Sequence, residues 1–135
     1  MERDKAQALL TRLIDHFWNR QAIADIGAVF AADAVLHSGP NDYAGHAGIR
    51  SYAEPFMAAF PDLKHEIVHL LIDGDMAAMR YRGSGHLAHD YDGMMGQGQA
   101  MEYHGNAIFR LKDGLIAEVW SNSDLSLWCA RQPRA

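Results

Sequence analysis

The chain has 135 residues, 49 % of them hydrophobic and 21 % charged, with 12 basic against 17 acidic side chains for a formal net charge of −5. That length suits one domain, residues 1–135, around one core, and a net-negative chain without clustered Lys or Arg excludes the cationic face that nucleic-acid proteins need. Cys129 is the single cysteine, which excludes an intramolecular disulfide and a thiolate metal cluster.

From Asp4 to Asn19 the apolar residues Ala6, Leu9, Leu10, Leu13, Ile14, Phe17 and Trp18 recur at three- and four-residue steps, the pattern of an amphipathic helix with one buried face. The same stretch alternates charged with apolar residues, so it reads neither as a signal peptide nor as a membrane span, and a cytoplasmic location is expected. A shorter helix is expected from Ile23 to Phe30, then an extended segment, AADAVLHSGPNDY, ending in turn residues. A third helix is expected from Ala47 to Ala59, with Ile49, Tyr52, Phe56 and Phe60 on one side. Pro55 lies inside it and predicts a late start or a kink.

Beyond FPDL the pattern changes to strands: His65 to Ile72, closed by the turn Asp73-Gly74-Asp75, then Met76 to His86, Met101 to Leu111 and Leu115 to Asn122. The intervening His89 to Gln99 is rich in Gly and Asp. Its run GMMGQG reads either as an adaptable lid or as an ordinary long connection. Helices followed by antiparallel strands is an α+β order.

The last hairpin fixes which sheet face meets the helices. If Lys112-Asp113-Gly114 is a three-residue loop, Leu111 opposes Leu115, and Phe109–Ala117, Ala107–Val119 and Gly105–Ser121 follow on one face. Arg110–Ile116, Ile108–Glu118, Asn106–Trp120 and His104–Asn122 share the other. The apolar set should lie under the helices. Its small members leave space there, which is either an open pocket for a small hydrophobic molecule or a core plugged by Trp18, Phe56 and Phe60. Tyr81 and Tyr103 on the neighbouring strands join the expected lining. Ile108 and Trp120 among polar residues on the outer face suggest a homodimer through that face, or scattered surface apolar residues.

The strings FWN, AADAVLH, AGIRSY, AAFPDLKHEI, MRYRGSGH and HGNAIFRLKDGLIAEVWSNSD, in that order over nearly the whole chain, together resemble the SnoaL-like polyketide cyclase family of the NTF2-like superfamily. The resemblance implies a cone: a curved antiparallel sheet wrapped on N-terminal helices, with an internal pocket. It also implies ring closure by an intramolecular aldol step, without cofactor or metal. The family's acid–base aspartate falls on Ser121, its two histidines on Val119 and Ala107, and an asparagine near Leu36. None of the four matches. Proton abstraction beside a carbonyl needs a base that changes protonation near working pH, and these residues supply none, so the reaction does not transfer with the fold.

Three polar residues at family positions remain as catalytic candidates. Asp124, just past the last strand, is either a base at the pocket mouth or a cap. His37 is either an acid–base group or a structural histidine. Arg80 either holds an enolate or carboxylate oxygen or pairs with Glu66 or Glu102. His104 and Glu118 fall on the outer face. His65/His69 and His86/His89 lie in expected strands or loops, where such spacings sit too far apart to chelate (~13 Å for i and i+4). No metal and no cofactor is expected. The expected protein is thus a cofactor-independent proton-transfer enzyme of cyclase, isomerase or dehydratase type. The competing expectation is a non-catalytic ligand-binding or subunit-interaction domain.

Overall fold

The computed structural model describes residues 1–135. The first helix starts as α1, Arg3–Arg12, and converts to a π-helical stretch, Leu13–Trp18. The Asn19 N–H donates to the Ile14 carbonyl five residues back, at 2.9 Å. This wider turn is one that three- and four-residue spacing does not reveal, and it buries Leu13, Ile14 and Phe17. The second helical stretch is shorter than its pattern suggested: a 3₁₀ turn, Ile23–Asp25, and α2, Ile26–Val29. Phe30 already opens strand β1, Phe30–Ser38, and a turn at Gly39-Pro40 leads to β2, Asn41–Ala44.

Helix α3, Gly45–Ala59, starts earlier than expected and runs through Pro55. Its buried Ile49, Ala53, Phe56 and Met57 form the inward stripe. Strands β3 (Lys64–Asp73), β4 (Met76–Leu87), β5 (Gln99–Lys112) and β6 (Leu115–Ser123) follow, then a short α4, Leu125–Ala130. They form one curved six-stranded sheet in the order β2-β1-β6-β5-β4-β3. All neighbours pair antiparallel except β1 and β6, which are parallel.

The β5–β6 hairpin differs from expectation twice. Its loop has two residues, Asp113 and Gly114, both at positive φ (54° and 79°), with Lys112 opposite Leu115. That is the backbone of a primed turn, whose twist matches the strands it joins. A bulge beyond Arg110 then adds one more residue, so Phe109 opposes Val119, Ala107 opposes Ser121 and Ile108 opposes Trp120. Each shift alone would reverse the faces of one strand. Beyond the bulge the two together restore them, so Ala107, Phe109, Val119 and Ser121 line the inner face although every expected pair was misaligned. Before the bulge they do not: Leu115 lies opposite the exposed Lys112, and Ile116, expected on the outer face, is fully buried opposite Leu111.

The main core joins α1, the π-helical stretch, α2 and α3 to the inner sheet face through Leu10, Phe17, Val29, Ile49, Phe109 and Ile116. A second cluster of Phe56, Phe60, Leu63, Leu87, Met94, Met101 and Tyr103 closes the other end of α3. Met94 is fully buried there while Met95 stays exposed. The C-terminal tail ties this loop down, Met95 N–H donating to Pro133 O at 2.8 Å and Ala135 N–H to Gly93 O at 2.9 Å. The GMMGQG run is therefore a pinned connection with one methionine in the core. No helix is long and apolar enough to cross a membrane.

Candidate functional site

Between the helices and the inner sheet face lies a narrow cavity of about 60 Å³. The π-helical stretch contributes Leu13, Ile14 and Trp18, and α3 contributes Tyr52 and Phe56. From the sheet come Tyr81, Tyr103, Ala107, Phe109, Val119 and Ser121, all among the expected lining. Phe60 is not part of it. That ring is fully buried in the second core cluster, packed on Phe56 and Trp128. Trp18 and Phe56 border the space rather than fill it.

The cavity holds no charged side chain; its polar groups are Tyr52, His65, Tyr81, Tyr103 and Ser121. His65 opens β3, facing Gly83 of β4, which in turn faces Tyr103 of β5. Two strand spacings separate the backbones of His65 and Tyr103, roughly 9.5 Å. The gap closes because Gly83 has no side chain: a Cβ there would lie 2.2 Å from the Tyr103 ring. The ring crosses that space, and its hydroxyl meets His65 Nε2 at 2.5 Å. Asn19, just past the π-helical stretch, holds the other side of His65. Its amide donates to His65 O at 2.9 Å and its carbonyl accepts from His65 N–H at 2.6 Å.

Tyr81 repeats the device one strand over. It faces Gly105, where a Cβ would lie 2.4 Å from the phenol oxygen, and its hydroxyl meets Ser121 Oγ at 2.8 Å. Burial without a charged partner holds His65 down at about 4, so the imidazole is neutral at pH 7. Burial likewise pushes Tyr81 up to about 12 and Tyr103 well above its ordinary value. His65 Nδ1 is buried without a hydrogen-bond partner.

A wider, polar vestibule shares Tyr52, Phe56, Tyr81, Tyr103 and Ser121 with the cavity and adds Ser38, Asn122, Asp92, Cys129 and Arg134. Arg134 spans it, donating to Asp92 O at 3.1 Å and Cys129 O at 3.3 Å. The site is therefore apolar and uncharged within, and polar at its mouth.

The three catalytic candidates do not converge on this cavity. His37 lies on the outer face, Nδ1 2.7 Å from Asp42 and Nε2 2.6 Å from Glu118, its ring stacked on Trp120 at 5.6 Å. The two carboxylates raise it above its ordinary value, against a smaller burial effect. Arg80 is turned outward because its neighbours Met79 and Tyr81 take the inner face, and it borders an exposed groove with His104 and Asn122. The arginine that meets Glu66 (3.6 Å) and Glu102 (2.8 Å) is Arg82. Asp124 is exposed and extends the β5–β6 pairing: its carboxylate accepts from His104 N–H at 2.7 Å and its own N–H donates to His104 O at 3.0 Å. Ile108 and Trp120, 49 % and 37 % exposed, sit directly opposite each other on the outer face.

His65 enters the sequence reading only as half of a His65/His69 metal pair, and no group of three His, Cys, Asp or Glu side chains is arranged to hold a metal ion. The available signal was plainer: a histidine and Ile67 alternating at the start of a strand. The glycines opposite two tyrosines were the second signal, readable only with the β4–β5 register.

A model of the SnoaL-like polyketide cyclase family matches residues 8–130. Among solved structures, TsrD from Streptomyces laurentii superposes with a TM-score of 0.86 at 23 % identity, over 98 % of this chain and 96 % of that one. A protein from Jannaschia sp. CCS1 classed as a SnoaL-like polyketide cyclase gives 0.86 at 18 % identity, over 96 % and 95 %. A protein from Catenulispora acidiphila with a ketosteroid isomerase-like fold gives 0.69 at 16 %, over 84 % and 82 %. No curated protein sequence matches the chain.

Proposed function

Because the chain belongs to the SnoaL-like polyketide cyclase family, we propose that its cone binds a small, neutral, largely hydrophobic molecule carrying a ketone or enol oxygen. The observation that carries this reading is the lining: apolar walls, five neutral polar side chains and no charge. A charged ligand group entering such a site would lose its hydration without gaining a counter-ion, which is strongly unfavourable. A ketone or hydroxyl oxygen needs only one or two hydrogen bonds, and the Tyr and Ser hydroxyls supply them. The inner space is narrow, so a flat ligand suits it, with any further polar part in the vestibule.

The reaction class in keeping with this site is proton transfer next to a carbonyl, the step shared by cyclases, isomerases and dehydratases. Binding without catalysis is the second reading. It is favoured by Ala107, Val119 and Ser121 standing where the resemblance places acid–base groups.

Calorimetric titration with 2-tetralone, a neutral two-ring ketone, and with 2-naphthoate, a charged two-ring acid, tests the pocket. Tetralone should bind at least about tenfold tighter, and Ala107→Leu, which takes up cavity space, should weaken it by about tenfold. Equal or stronger binding of naphthoate would sink the proposal.

A further inference from the structure

Resting on that pocket reading, we infer that the Tyr81 and Ser121 hydroxyls form one shared donor at the neck of the site, holding the ligand's carbonyl oxygen where cavity meets vestibule. The pair thereby selects ketones over hydrocarbons of the same shape.

Tyr52, Phe56, Tyr81, Tyr103 and Ser121 line both the cavity and the vestibule. Phe56 brings no polar group, and Tyr103 is buried with its hydroxyl against the equally buried His65. Tyr52, on α3, has Ser38 as its hydroxyl neighbour. Tyr81 and Ser121 are half-buried, on the sheet side of the passage between the two spaces.

Proton counting gives this pair its property. The two hydroxyls meet each other at 2.8 Å and make no other hydrogen bond within the protein. Together they carry two protons, and their contact uses one. If Tyr81 donates, the Ser121 proton is unspent; if Ser121 donates, the Tyr81 proton is. Either direction leaves one donor for a ligand oxygen. Burial pushes Tyr81 up to about 12, so its proton is present throughout the neutral range. A ligand oxygen that displaces water from this donor restores its hydrogen bond, whereas a hydrocarbon group that displaces the water leaves the donor bare.

The scaffold fixes both hydroxyls. Ser121 lies on β6 between β5 and β1, opposite Ala107 on one side and Ser38 on the other, and its carbonyl accepts from Gly39 N–H at 3.1 Å. Tyr81 reaches it from β4, two strands away, across Gly105, where a Cβ would block the phenol. The Tyr81 ring packs edge-on against His65 and Tyr103, at 5.7 and 6.0 Å between ring centres. A donor held in this way loses little freedom when a ligand binds.

The test compares calorimetric binding of 2-tetralone with that of tetralin, the same two rings without the oxygen. Wild type, Tyr81→Phe, Ser121→Ala and the double variant are titrated, and the tetralone-to-tetralin affinity ratio is the readout. Because either hydroxyl can serve alone, each single variant should keep the ratio within about threefold of wild type. The double variant should lower it by about tenfold or more. Losses that simply add, or a single variant that loses the whole preference, overturn the shared donor. A ratio unchanged in the double variant overturns it as well and leaves the pocket standing. Failure of both compounds to bind the wild-type protein overturns the pocket reading too. A second measurement needs no variant: the infrared difference spectrum of tetralone bound to the wild-type protein. A carbonyl stretch lowered from its position in hexane supports the donor at the neck; a stretch at the hexane position overturns it.

Discussion

The two faces of the sheet treat histidine in opposite ways. On the inner face His65 is buried, meets only neutral groups, and is held neutral by the cost of charging it there. On the outer face His37 sits between Asp42 and Glu118, with Arg110 3.3 Å from the same Glu118, and its partners favour the charged form. The same side chain is thus held neutral on one side and favoured in its charged form on the other. The strand pattern alone decides which residue meets which environment. The outer face disperses its charge in ion pairs, whereas the inner face excludes charge altogether. That contrast, more than any single residue, makes the inner face suited to an uncharged molecule.

The sharpest way to break the contrast is to put a carboxylate on each face from neighbouring positions of β6. Val119 is inward and 5 % exposed; Trp120 is outward and 37 % exposed. Val119→Asp should cost about 3–5 kcal/mol at pH 7, the scale of an uncompensated buried charge. Trp120→Asp should stay within about 1 kcal/mol, as surface substitutions do. Urea unfolding of both variants measures this, and equal costs would mean that the inner face is not the dry surface described.

The histidines themselves give the next largest effect, with opposite signs. The folded value of His65, about 4, lies below the ordinary value near 6.5. The unfolded chain therefore takes up a proton near pH 6.5 that the folded chain refuses until about 4, so stability falls as pH drops across that window, by about 3 kcal/mol at most. His37 works the other way. Its folded value is raised, so its contribution is complete below about pH 6.5 and is lost as pH rises through the raised value. Unfolding free energy measured from pH 4 to 9 should decline on both sides. His65→Gln should flatten the acid limb above pH 4 and His37→Gln the neutral-to-alkaline one. The ion-paired carboxylates Asp25, Asp62, Glu102 and Glu118 are all lowered, so their losses come at more acidic pH. A His65→Gln protein with an unchanged acid limb would show that His65 is solvated.

How much of this was written in the chain depends on the kind of pattern each feature leaves. The inward set Ala107, Phe109, Val119 and Ser121 was legible because alternation survives an even register shift. The expected pairs were wrong, yet the two errors, one at Asp113-Gly114 and one at the bulge, cancelled for facing. The π-helical stretch was illegible because Leu13, Ile14, Phe17 and Trp18 fit an ordinary helix equally well. Arg80 needed the facing of β4, which its mixed sequence does not fix; once Met79 and Tyr81 turn in, it must turn out. His65 was passed over for a longer-range reason. Its partner lies two strands away, across a glycine, and no local spacing records a contact between residues 65 and 103. The fold is carried by local patterns that repeat. The site is carried by three single contacts that do not.

The smallest effect separates the two tyrosines that use the same glycine device. Tyr103 and Tyr81 each lie over the glycine opposite, and each spends its hydroxyl on one partner. Their depth differs. The Tyr103 partner is the buried His65, and after Tyr103→Phe its Nε2 has no replacement partner, which should cost about 1–3 kcal/mol. Tyr81 bonds Ser121, which is half-buried and also lines the vestibule, so after Tyr81→Phe water can reach the Ser121 hydroxyl. A hydrogen bond exchanged for one to water is worth about 1 kcal/mol or less. Urea unfolding of the two Phe variants should therefore rank Tyr103 clearly above Tyr81. Repeating both in the His65→Gln background should shrink the Tyr103 effect and leave the Tyr81 effect unchanged, since the second pair shares no partner with the first. If both effects shrink together, the five neutral polar groups form one coupled network, and the boundary between dry cavity and wet vestibule lies nearer the mouth than Ser121.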